Sequence, residues 1–458
     1  MAYIGNTQAD RQLMLDALGL DRIEDLFTDI PSEQRFPVLD LLPARSELEA
    51  LQEMDEIGAR NARGQGVLSF IGAGAYQHFI PSVVSFLAGR GEFSTAYTPY
   101  QAEASQGTVQ TIFEYQSMVS DLLGMEVVNA SHYDGATAVA EAAIMAVRST
   151  RGRGSVVLSG GLHPEYIDVA TTYLRPQGIR LTTVGRPERR DDPGPTTDAL
   201  LAAIDDHTAC LIVQNPDFLG RMHDLAGLAD AVHERGALLV IHIDPIACAL
   251  FRSPGSLGAD IVTGEGQPLG IPTGFGGPYL GIFATRRSLV RKMPGRLAGQ
   301  TTDVEGRRGF VLTLNTREQH IRREKATSNI CTNQGLMALR AAIYLASLGP
   351  HGLREVAELC YQKAHYAADR LGALRGCRIN LTNDTPFFKE FVLSTPVPAD
   401  ALVAACREQG VIPGLALSRY FPERTHELLV AVTERNSRAQ IDRLVSVVAA
   451  ATSHAEVV

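Results

Sequence analysis

The stretch from residue 238 to residue 277, LLVIHIDPIACALFRSPGSLGADIVTGEGQPLGIPTGFGG, contains two apolar strands, each followed by a polar or glycine-rich turn. The first, residues 238–243, ends at Asp244, and the second covers residues 260–263. Between residues 72 and 265 such short apolar runs alternate with amphipathic stretches, the pattern of parallel strands joined by crossover helices. The sequence therefore predicts a doubly wound α/β domain that binds ligands at the carboxyl ends of its strands.

Outside this stretch the same pattern predicts the remaining elements. Further strands are expected at residues 156–158, 181–184 and 210–213. Helices are expected at 335–348, 352–371, 400–409 and 437–450, and strands at 387–393 and 428–432. Two amphipathic stretches, residues 10–31 and 46–60, indicate helices that pack on the body or on a partner subunit. We predict an N-terminal helical arm (1–70), a large, mostly parallel α/β domain (71–330) and a smaller α+β C-terminal domain (331–458).

Composition limits the classes of partner. The chain has 458 residues, 45% of them hydrophobic and 20% charged, an ordinary balance for a globular protein. Its formal net charge of -9 disfavours nucleic acid and anionic membranes as partners, so a small molecule or another protein is expected. The six cysteines show neither a CxxC pair nor a metal-type spacing, and the N-terminus lacks a signal-like basic and apolar sequence. We expect reduced thiols, no metal site and a cytoplasmic location.

Three polar residues fall near the ends of predicted strands. Asp134 can cap an alanine-rich helix whose first N–H groups suit a phosphate, although the same residues suit an ordinary helix start. His163 can stack on a flat cofactor or relay protons, or can merely line a cleft. Asp244 can hold a pyridinium nitrogen protonated, or can cap the next element or pair with an arginine. Each residue alone leaves both interpretations open.

Gln267 stands at a chemically decisive position. In a pyridoxal-phosphate enzyme of this architecture, the lysine that forms the Schiff base follows one strand after the aspartate, just before a glycine-rich turn. An amide cannot form an imine, so this chain is not expected to hold the cofactor covalently. The chain contains four lysines, Lys292, Lys325, Lys363 and Lys389. Lys325 is the alternative candidate for a self-sufficient enzyme, but it lies too late in the sequence for the lysine position of this fold.

Two polar strings are the most specific features. They are TAYTPYQAEASQG at residues 95–107 and TREQHIRREKATSNICT at residues 316–332. Their polar density is too great for an ordinary core, and the second lies at the predicted domain junction, where clefts form. A solvated face or an interdomain network of salt bridges is the alternative interpretation.

Four longer strings resemble the N-terminal half of the glycine cleavage system P-protein, in particular its separate alpha (subunit 1) form. They are residues 95–131, 258–285, 291–303 and 316–336. The resemblance covers nearly the whole chain and implies a fold-type I pyridoxal-phosphate-dependent transferase-like architecture. It also implies a heterotetramer of two alpha and two beta chains, in which the beta chain supplies the lysine for pyridoxal 5'-phosphate. Gln267 agrees with that implication.

The resemblance further implies an activity and a set of site residues. The complex decarboxylates glycine and passes the aminomethyl group to the lipoyl arm of the H-protein. Hydrogen-bond donors that reach the partner's site are expected to be Tyr97, Thr98, Tyr100 and Gln101. Residues that line a vestigial cleft or fix the interface are expected to be Arg322, Lys325, Thr327, Ser328 and Asn329. Asp134, His163 and Asp244 match ancestral cofactor positions, and a non-catalytic scaffold for the beta chain is the alternative function.

Overall fold

The computed structural model describes residues 5–61, 67–94, 97–190, 192, 194–330, 334–379 and 386–453. The chain divides into two compact units, Met1–Gly64 and Gln65–Val458. Thr95 and Ala96 of the first polar string, and Cys331 and Thr332 of the second, lie outside the described residues. The domain boundaries proposed at residues 70 and 330 stay predictions.

The N-terminal unit contains two capped helices, α1 (Gln8–Leu18) and α2 (Glu47–Ala59). Each begins with a capping box, formed by Thr7 with Asp10 in α1 and by Ser46 with Glu49 in α2. The sequence predicted a helical stretch to residue 31, but α1 ends at Gly19, which adopts a left-handed conformation. Short 3-10 turns follow instead, because glycine readily takes the backbone geometry that terminates a helix.

The second unit contains the remaining elements in the following order. Its strands are β1 (Leu68–Ser69), β2 (Val127–Val128), β3 (Ser155–Ser159), β4 (Arg180–Val184), β5 (Thr208–Asn215), β6 (Leu238–Ile243), β7 (Ile261–Glu265), β8 (Gly281–Thr285), β9 (Leu297–Thr302), β10 (Arg308–Thr313), β11 (Arg378–Ile379), β12 (Glu390–Ser394), β13 (Val411–Ile412), β14 (Leu415–Ala416) and β15 (Glu427–Ala431). Its α-helices are α3 (Ser82–Ala88), α4 (Gly91–Ser94), α5 (Gln106–Leu123), α6 (Gly135–Ser149), α7 (Pro164–Leu174), α8 (Thr197–Ala202), α9 (Leu228–Glu234), α10 (Gln319–Arg322), α11 (Gly335–Gly372), α12 (Ala399–Glu408) and α13 (Arg438–Ser453).

A central sheet of the described chain has the strand order β2-β8-β7-β6-β5-β3-β4. Strands β4, β3, β5, β6 and β7 run parallel, whereas β8 is antiparallel to both β7 and β2. The five parallel strands are those that the sequence predicted. The antiparallel β8 was not predicted, because its five residues follow directly after the glycine-rich turn and carry too little periodicity.

The central strands are buried on both faces, which explains their continuous apolar sequences. Along β5, Leu211 and Val213 join a hydrophobic core with α5, α9 and the first half of α11. Their neighbours Cys210 and Ile212 join a second core with α6 and α7 on the other face. Because successive side chains of a strand point to opposite faces, one strand supplies both cores.

The C-terminal segment builds a smaller antiparallel sheet, in the order β11-β12-β15-β14. The two helices predicted there are present within the range α11, where the non-helical backbone of Gly349 (φ 59°, ψ -177°), just before Pro350, separates them. The glycine tolerates the positive φ, and the proline cannot continue the preceding hydrogen-bond ladder. Nowhere in the described ranges does a helix have the length and apolar character to cross a membrane.

A β-hairpin made of β9 and β10 is fastened to α5 by two glutamines. The Gln106 side chain accepts the Phe310 N–H at 2.8 Å and donates to the Phe310 carbonyl at 2.7 Å. Gln116 makes the same reciprocal pair with Ala298, at 2.9 and 3.0 Å. These four hydrogen bonds hold β9, which begins directly after Arg296, and β10 against α5.

Candidate functional site

A small cavity lies at the carboxyl ends of β5, β6 and β7, where the sequence predicted a ligand site. Its walls include Tyr76, His163, Asp244, Glu265, Lys389 and Glu390. The free volume is about 40 Å³, enough for a few water molecules, whereas pockets for small-molecule ligands usually measure about 300–1,000 Å³. We refer to this space as the sheet-edge cavity.

An ion pair closes one side of the sheet-edge cavity. The Lys389 ammonium lies 2.6 Å from Asp244 Oδ2, and the two side chains are 3% and 12% exposed. The ammonium also lies 3.5 Å from the centroid of the Tyr76 ring, within cation–π range. Burial opposes ionisation of Asp244, but the charge and hydrogen bond of Lys389 outweigh it and lower the pKa of the carboxyl group. Asp244 is therefore an ionised carboxylate neutralised by Lys389.

His78 extends this ion pair away from the cavity. Lys389 Nζ lies 3.1 Å from His78 Nε2, and His78 Nδ1 lies 2.7 Å from Glu434 Oε2. An ammonium can only donate, so Nε2 accepts and Nδ1–H donates to Glu434. Burial, and then the positive charge of Lys389, lower the pKa of His78 and keep the imidazole neutral. The network thus connects two carboxylates through one ammonium and one neutral ring.

Gln267 is buried, and its amide is committed to the protein. Its Oε1 accepts the Tyr76 N–H at 2.8 Å. Its Nε2 donates to the Tyr76 carbonyl at 3.0 Å and to the Ile271 carbonyl at 2.7 Å. Both amide hydrogens are therefore used, and the side chain holds the segment around Tyr76 against the end of β7.

Glu265 occupies the N-terminus of α6. Asp134 caps this helix, since its Oδ1 accepts the Thr137 N–H at 2.8 Å, one of the two roles that the sequence allowed. The next residue, Gly135, donates its N–H to Glu265 Oε2 at 2.9 Å. The other oxygen of Glu265 accepts two more backbone N–H groups, at 2.9 and 3.1 Å. Burial raises the pKa of Glu265 to about 8, against the opposing effect of these three donors.

His163 lies at the carboxyl edge of the sheet, with both ring nitrogens engaged. The Glu165 N–H donates to Nδ1 at 3.1 Å, so Nε2 carries the hydrogen and donates to the Ala73 carbonyl at 3.0 Å. The ring stacks on Tyr166, with centroids 4.8 Å apart and an interplanar angle of 20°. Burial lowers the pKa of His163 and keeps it neutral. The residue therefore forms an aromatic wall of the sheet-edge cavity.

The two polar strings meet at a second place, around Arg296. Arg296 Nη2 donates to the Tyr100 hydroxyl at 3.2 Å, and its Nε lies 3.2 Å from Glu318 Oε2. The His320 ring lies 5.0 Å from the Tyr100 ring. Tyr100 belongs to the first string and Glu318 and His320 to the second, so distant segments converge here. We call these four residues the Arg296 cluster.

The first-string candidates are exposed or half-buried, and one of them, Tyr100, belongs to the Arg296 cluster. Tyr97 and Tyr100 are 80% and 48% exposed, Gln101 is exposed and Thr98 is half-buried. Arg296, which donates to the Tyr100 hydroxyl, is buried. The segment thus presents hydrogen-bonding groups near the surface, and these four residues are not among the walls of the sheet-edge cavity.

The second-string candidates also lie apart from the sheet-edge cavity. Thr327, Ser328 and Asn329 line a surface groove of about 360 Å³ beside α6 and α7. Arg322 and Lys325 are exposed on the same segment. Arg148 of α6 donates to the Thr327 carbonyl, and the Ser328 side chain hydrogen-bonds Glu141. The structure therefore does not bring them to the cavity, and an interface role stays a prediction.

Comparison with known proteins assigns the family. Residues 1–448 match the family model described as "Glycine cleavage system P-protein". The chain belongs to the glycine cleavage system P-protein family. This P-protein chain is 52% identical to a Thermomicrobium roseum protein named "Probable glycine dehydrogenase (decarboxylating) subunit 1", over 99% of this chain and 100% of the relative. A Chlorobium limicola protein of the same name is 50% identical, over 98% of this chain and 100% of the relative.

Solved structures give the same result for the P-protein fold. A glycine decarboxylase (P-protein) of the glycine cleavage system, in inhibitor-bound form, has a TM-score of 0.90 and 42% identity, covering 98% of this chain and 100% of that chain. A Burkholderia pseudomallei sphingosine-1-phosphate lyase has a TM-score of 0.65 and 17% identity, covering 93% of this chain and 94% of that chain, and shares the fold alone. The predicted fold-type I, pyridoxal-phosphate-dependent transferase-like class is confirmed.

The P-protein chain does not fit pyridoxal phosphate in its own sheet-edge cavity. A cofactor of this kind needs an imine-forming lysine, a partner for its ring nitrogen and space for its ring. Gln267 stands at the lysine position, Lys389 already pairs with Asp244, and the free volume is about 40 Å³. We therefore assign no reaction step to this cavity.

Sequence reasoning missed two residues that shape these sites, Lys389 and Arg296. Lys389 was available as one of only four lysines in the chain, but nothing local connects it to Asp244. Arg296 lies inside a string that carried the family resemblance, yet it stands among several arginines of similar context. In both cases the residue type was the available signal in the sequence, and only the tertiary structure shows which residue it pairs with.

Proposed function

We propose that this chain is the alpha subunit of a glycine decarboxylase whose beta subunit carries pyridoxal phosphate on its own lysine. The complex decarboxylates glycine, releases CO2 and transfers the aminomethyl group to the lipoyl arm of the H-protein. The disulfide of that arm is reduced, which makes the step formally an oxidation of the glycine carbon. The observation that carries this proposal is the filled sheet-edge cavity in a chain that otherwise has the family fold throughout.

The role of the alpha chain is to complete the partner's site across the interface. Tyr97, Thr98, Tyr100 and Gln101 supply phenol, hydroxyl and amide donors, and the exposure of Tyr97 and Tyr100 supports this role. Arg296 holds the Tyr100 hydroxyl at 3.2 Å, which limits the rotation of the phenol. A donor that is held in place before binding stabilises developing charge better than a mobile one.

The assembly is proposed to contain two alpha and two beta chains and to work in the cytoplasm. Support for a protein partner comes from the N-terminal unit, where Val38, Leu41 and Leu42 are largely exposed. Adjacent exposed apolar residues are typical of surfaces that a partner covers. The described cysteines carry free thiols, as expected in a reducing compartment.

The test compares the purified chain alone with its complex with the beta subunit. Readouts are absorbance of bound pyridoxal phosphate, borohydride trapping, and glycine-dependent exchange of labelled bicarbonate with lipoylated H-protein. We expect cofactor and exchange activity only in the complex. Cofactor-dependent exchange by the lone chain would instead identify a self-sufficient enzyme. The exposed position of Lys325, outside the walls of the sheet-edge cavity, argues against that outcome.

A substitution separates a shared catalytic site from a scaffold. Tyr100→Phe removes one hydroxyl and should lower exchange activity by about 10-fold or more without weakening the complex, because a preorganised donor is lost. The matched control is Tyr366→Phe, which removes a hydroxyl bonded to Asp442 at 2.7 Å between α11 and α13. Equal activity of both variants and the unaltered complex would favour the scaffold.

A further inference from the structure

Pyridoxal phosphate is anchored in this fold through three of its own groups, and in this chain side chains occupy the place of each group. The cofactor's phosphate needs backbone N–H groups at a helix N-terminus. Its ring nitrogen needs a carboxylate, and its aldehyde needs a lysine. The three corresponding places in this chain are the start of α6, Asp244 and Gln267. The occupants of these places are side chains of the same chain, Glu265, Lys389 and Gln267.

At the start of α6, the counterpart of the phosphate is the carboxyl group of Glu265. It accepts the Gly135 N–H at 2.9 Å, and its side chain is buried. Oxygen acceptors at this position use the unpaired N–H group and the positive end of the helix dipole. Two further backbone N–H groups hold the carboxyl in place, at 2.9 and 3.1 Å. A phosphate would have to displace a group with three hydrogen bonds.

At Asp244, the counterpart of the protonated ring nitrogen is the Lys389 ammonium. It lies 2.6 Å from Asp244 Oδ2 and 3.5 Å from the centre of the Tyr76 ring. The Lys389 ammonium neutralises the negative charge of Asp244, which a pyridinium would otherwise neutralise. Lys389 immediately precedes β12, so it reaches the large sheet from the C-terminal sheet. The ion pair therefore also joins these two parts of the body.

At the aldehyde position, the Gln267 amide is committed to backbone groups of Tyr76 and Ile271. Its two hydrogen bonds to the Tyr76 peptide, at 2.8 and 3.0 Å, draw that segment over the cavity. Tyr76 in turn covers Lys389. The three replacements thus support one another, and about 40 Å³ of free volume remains between them.

We propose that Glu265, Lys389 and Gln267 together form an internal replacement for pyridoxal phosphate, which closes this chain to the cofactor and holds its sheets in place without one. Loss of the lysine is then only one of three barriers. Restoring an amine at position 267 alone is not enough to recover cofactor binding, because the ring and phosphate places remain occupied.

The test uses the full chain in complex with its beta subunit, and the variants Gln267→Lys and Gln267→Lys/Glu265→Ser/Lys389→Ala. Each complex is incubated with pyridoxal phosphate, reduced with borohydride and digested, and peptide mass spectrometry locates the pyridoxyl group. We expect the single variant to stay unmodified at position 267 and the triple variant to be modified there by at least about 10-fold more. The matched control, Gln267→Lys/Lys325→Ala, removes an exposed lysine and should behave like the single variant. Stoichiometric modification of the single variant, or a folded triple variant without modification, would overturn the proposal.

A second measurement needs no variant and stays decisive if the triple variant fails to fold. The native chain is treated with formaldehyde and a mild reductant, and methylation of its few lysines is followed by mass spectrometry. We expect Lys292 and Lys325, which are exposed, to react at least about 100-fold faster than the buried Lys389, whose labelling requires opening of the structure. Comparable rates would refute the buried ion pair and with it the proposal. Neither readout measures glycine decarboxylation, and the methylation measurement needs this chain alone, so failure of the proposed function and failure of this proposal are distinguishable.

Discussion

Removing the charge of Lys389 should destabilise the body of the protein, and the structure allows the size of the effect to be worked out. Lys389→Met keeps most of the length of the side chain but leaves Asp244, 12% exposed, without its cation. The carboxylate would retain the Ile246 N–H at 2.9 Å. Breaking a buried ion pair at one partner costs about 3–5 kcal/mol, because the other charge stays buried.

Removing both charges should be far less harmful. Lys389→Met/Asp244→Asn leaves no uncompensated charge, and replacing both partners of a buried pair is often close to neutral. The double-mutant cycle with Asp244→Asn should therefore give a coupling energy of at least about 2 kcal/mol. An unfolding entropy of about 2.1 cal/mol/K per residue over roughly 390 residues makes 3–5 kcal/mol equivalent to a fall in Tm of roughly 4–6 °C.

The assay is thermal unfolding of the full chain, followed by circular dichroism and calorimetry for the four members of the cycle. Lys363→Met is the control, since this lysine is half-buried and donates to the Glu434 backbone carbonyl, an uncharged acceptor. We expect a smaller loss of Tm for the control than for Lys389→Met. If the fall in Tm of the double variant equals the sum of the falls in its two single variants, the two charges act independently and the reasoning is refuted.

Three further outcomes follow from other contacts. Arg296→Lys should lower glycine-dependent bicarbonate exchange of the complex by about 10-fold. An ammonium cannot reproduce the forked guanidinium, which donates to Tyr100 and pairs with Glu318. A variant with full activity would exclude this positioning role. Burial raises the pKa of Glu141 from 4.5 to about 7, so the stability linked to its protonated form is complete below pH 4.5 and is lost as the pH rises through 7. Glu141→Gln should therefore gain about 3 kcal/mol relative to the original chain between those limits, measured by urea unfolding at several pH values, and a constant difference would contradict the assignment. Gly220→Ala should destabilise by more than about 3 kcal/mol, because a Cβ there would overlap a backbone carbonyl, whereas Gly227→Ala, with a similar positive φ and open space, should cost only about 1–2 kcal/mol in the same assay.

Most of the secondary structure was predictable because its signals are local. The apolar runs of β3, β5 and β6 and the helical periodicity of α12 and α13 depend only on neighbouring residues. The antiparallel β8 was missed because five residues directly after a glycine-rich turn carry too little periodicity. The break between the two helices of α11 was predicted correctly, because glycine and proline together normally end a helix.

By itself, the amino-acid sequence determined the fold class, the missing amine at position 267 and the place of Asp244 at the end of a strand. These features follow from residue type and from the order of neighbours along the chain. Only the tertiary structure decided what replaces the cofactor, because Lys389 reaches Asp244 from a different sheet and Glu265 reaches α6 from β7. The same is true of Tyr100 and Arg296. Such contacts depend on how whole elements pack, and this packing brings together residues whose separation along the chain carries no local signal.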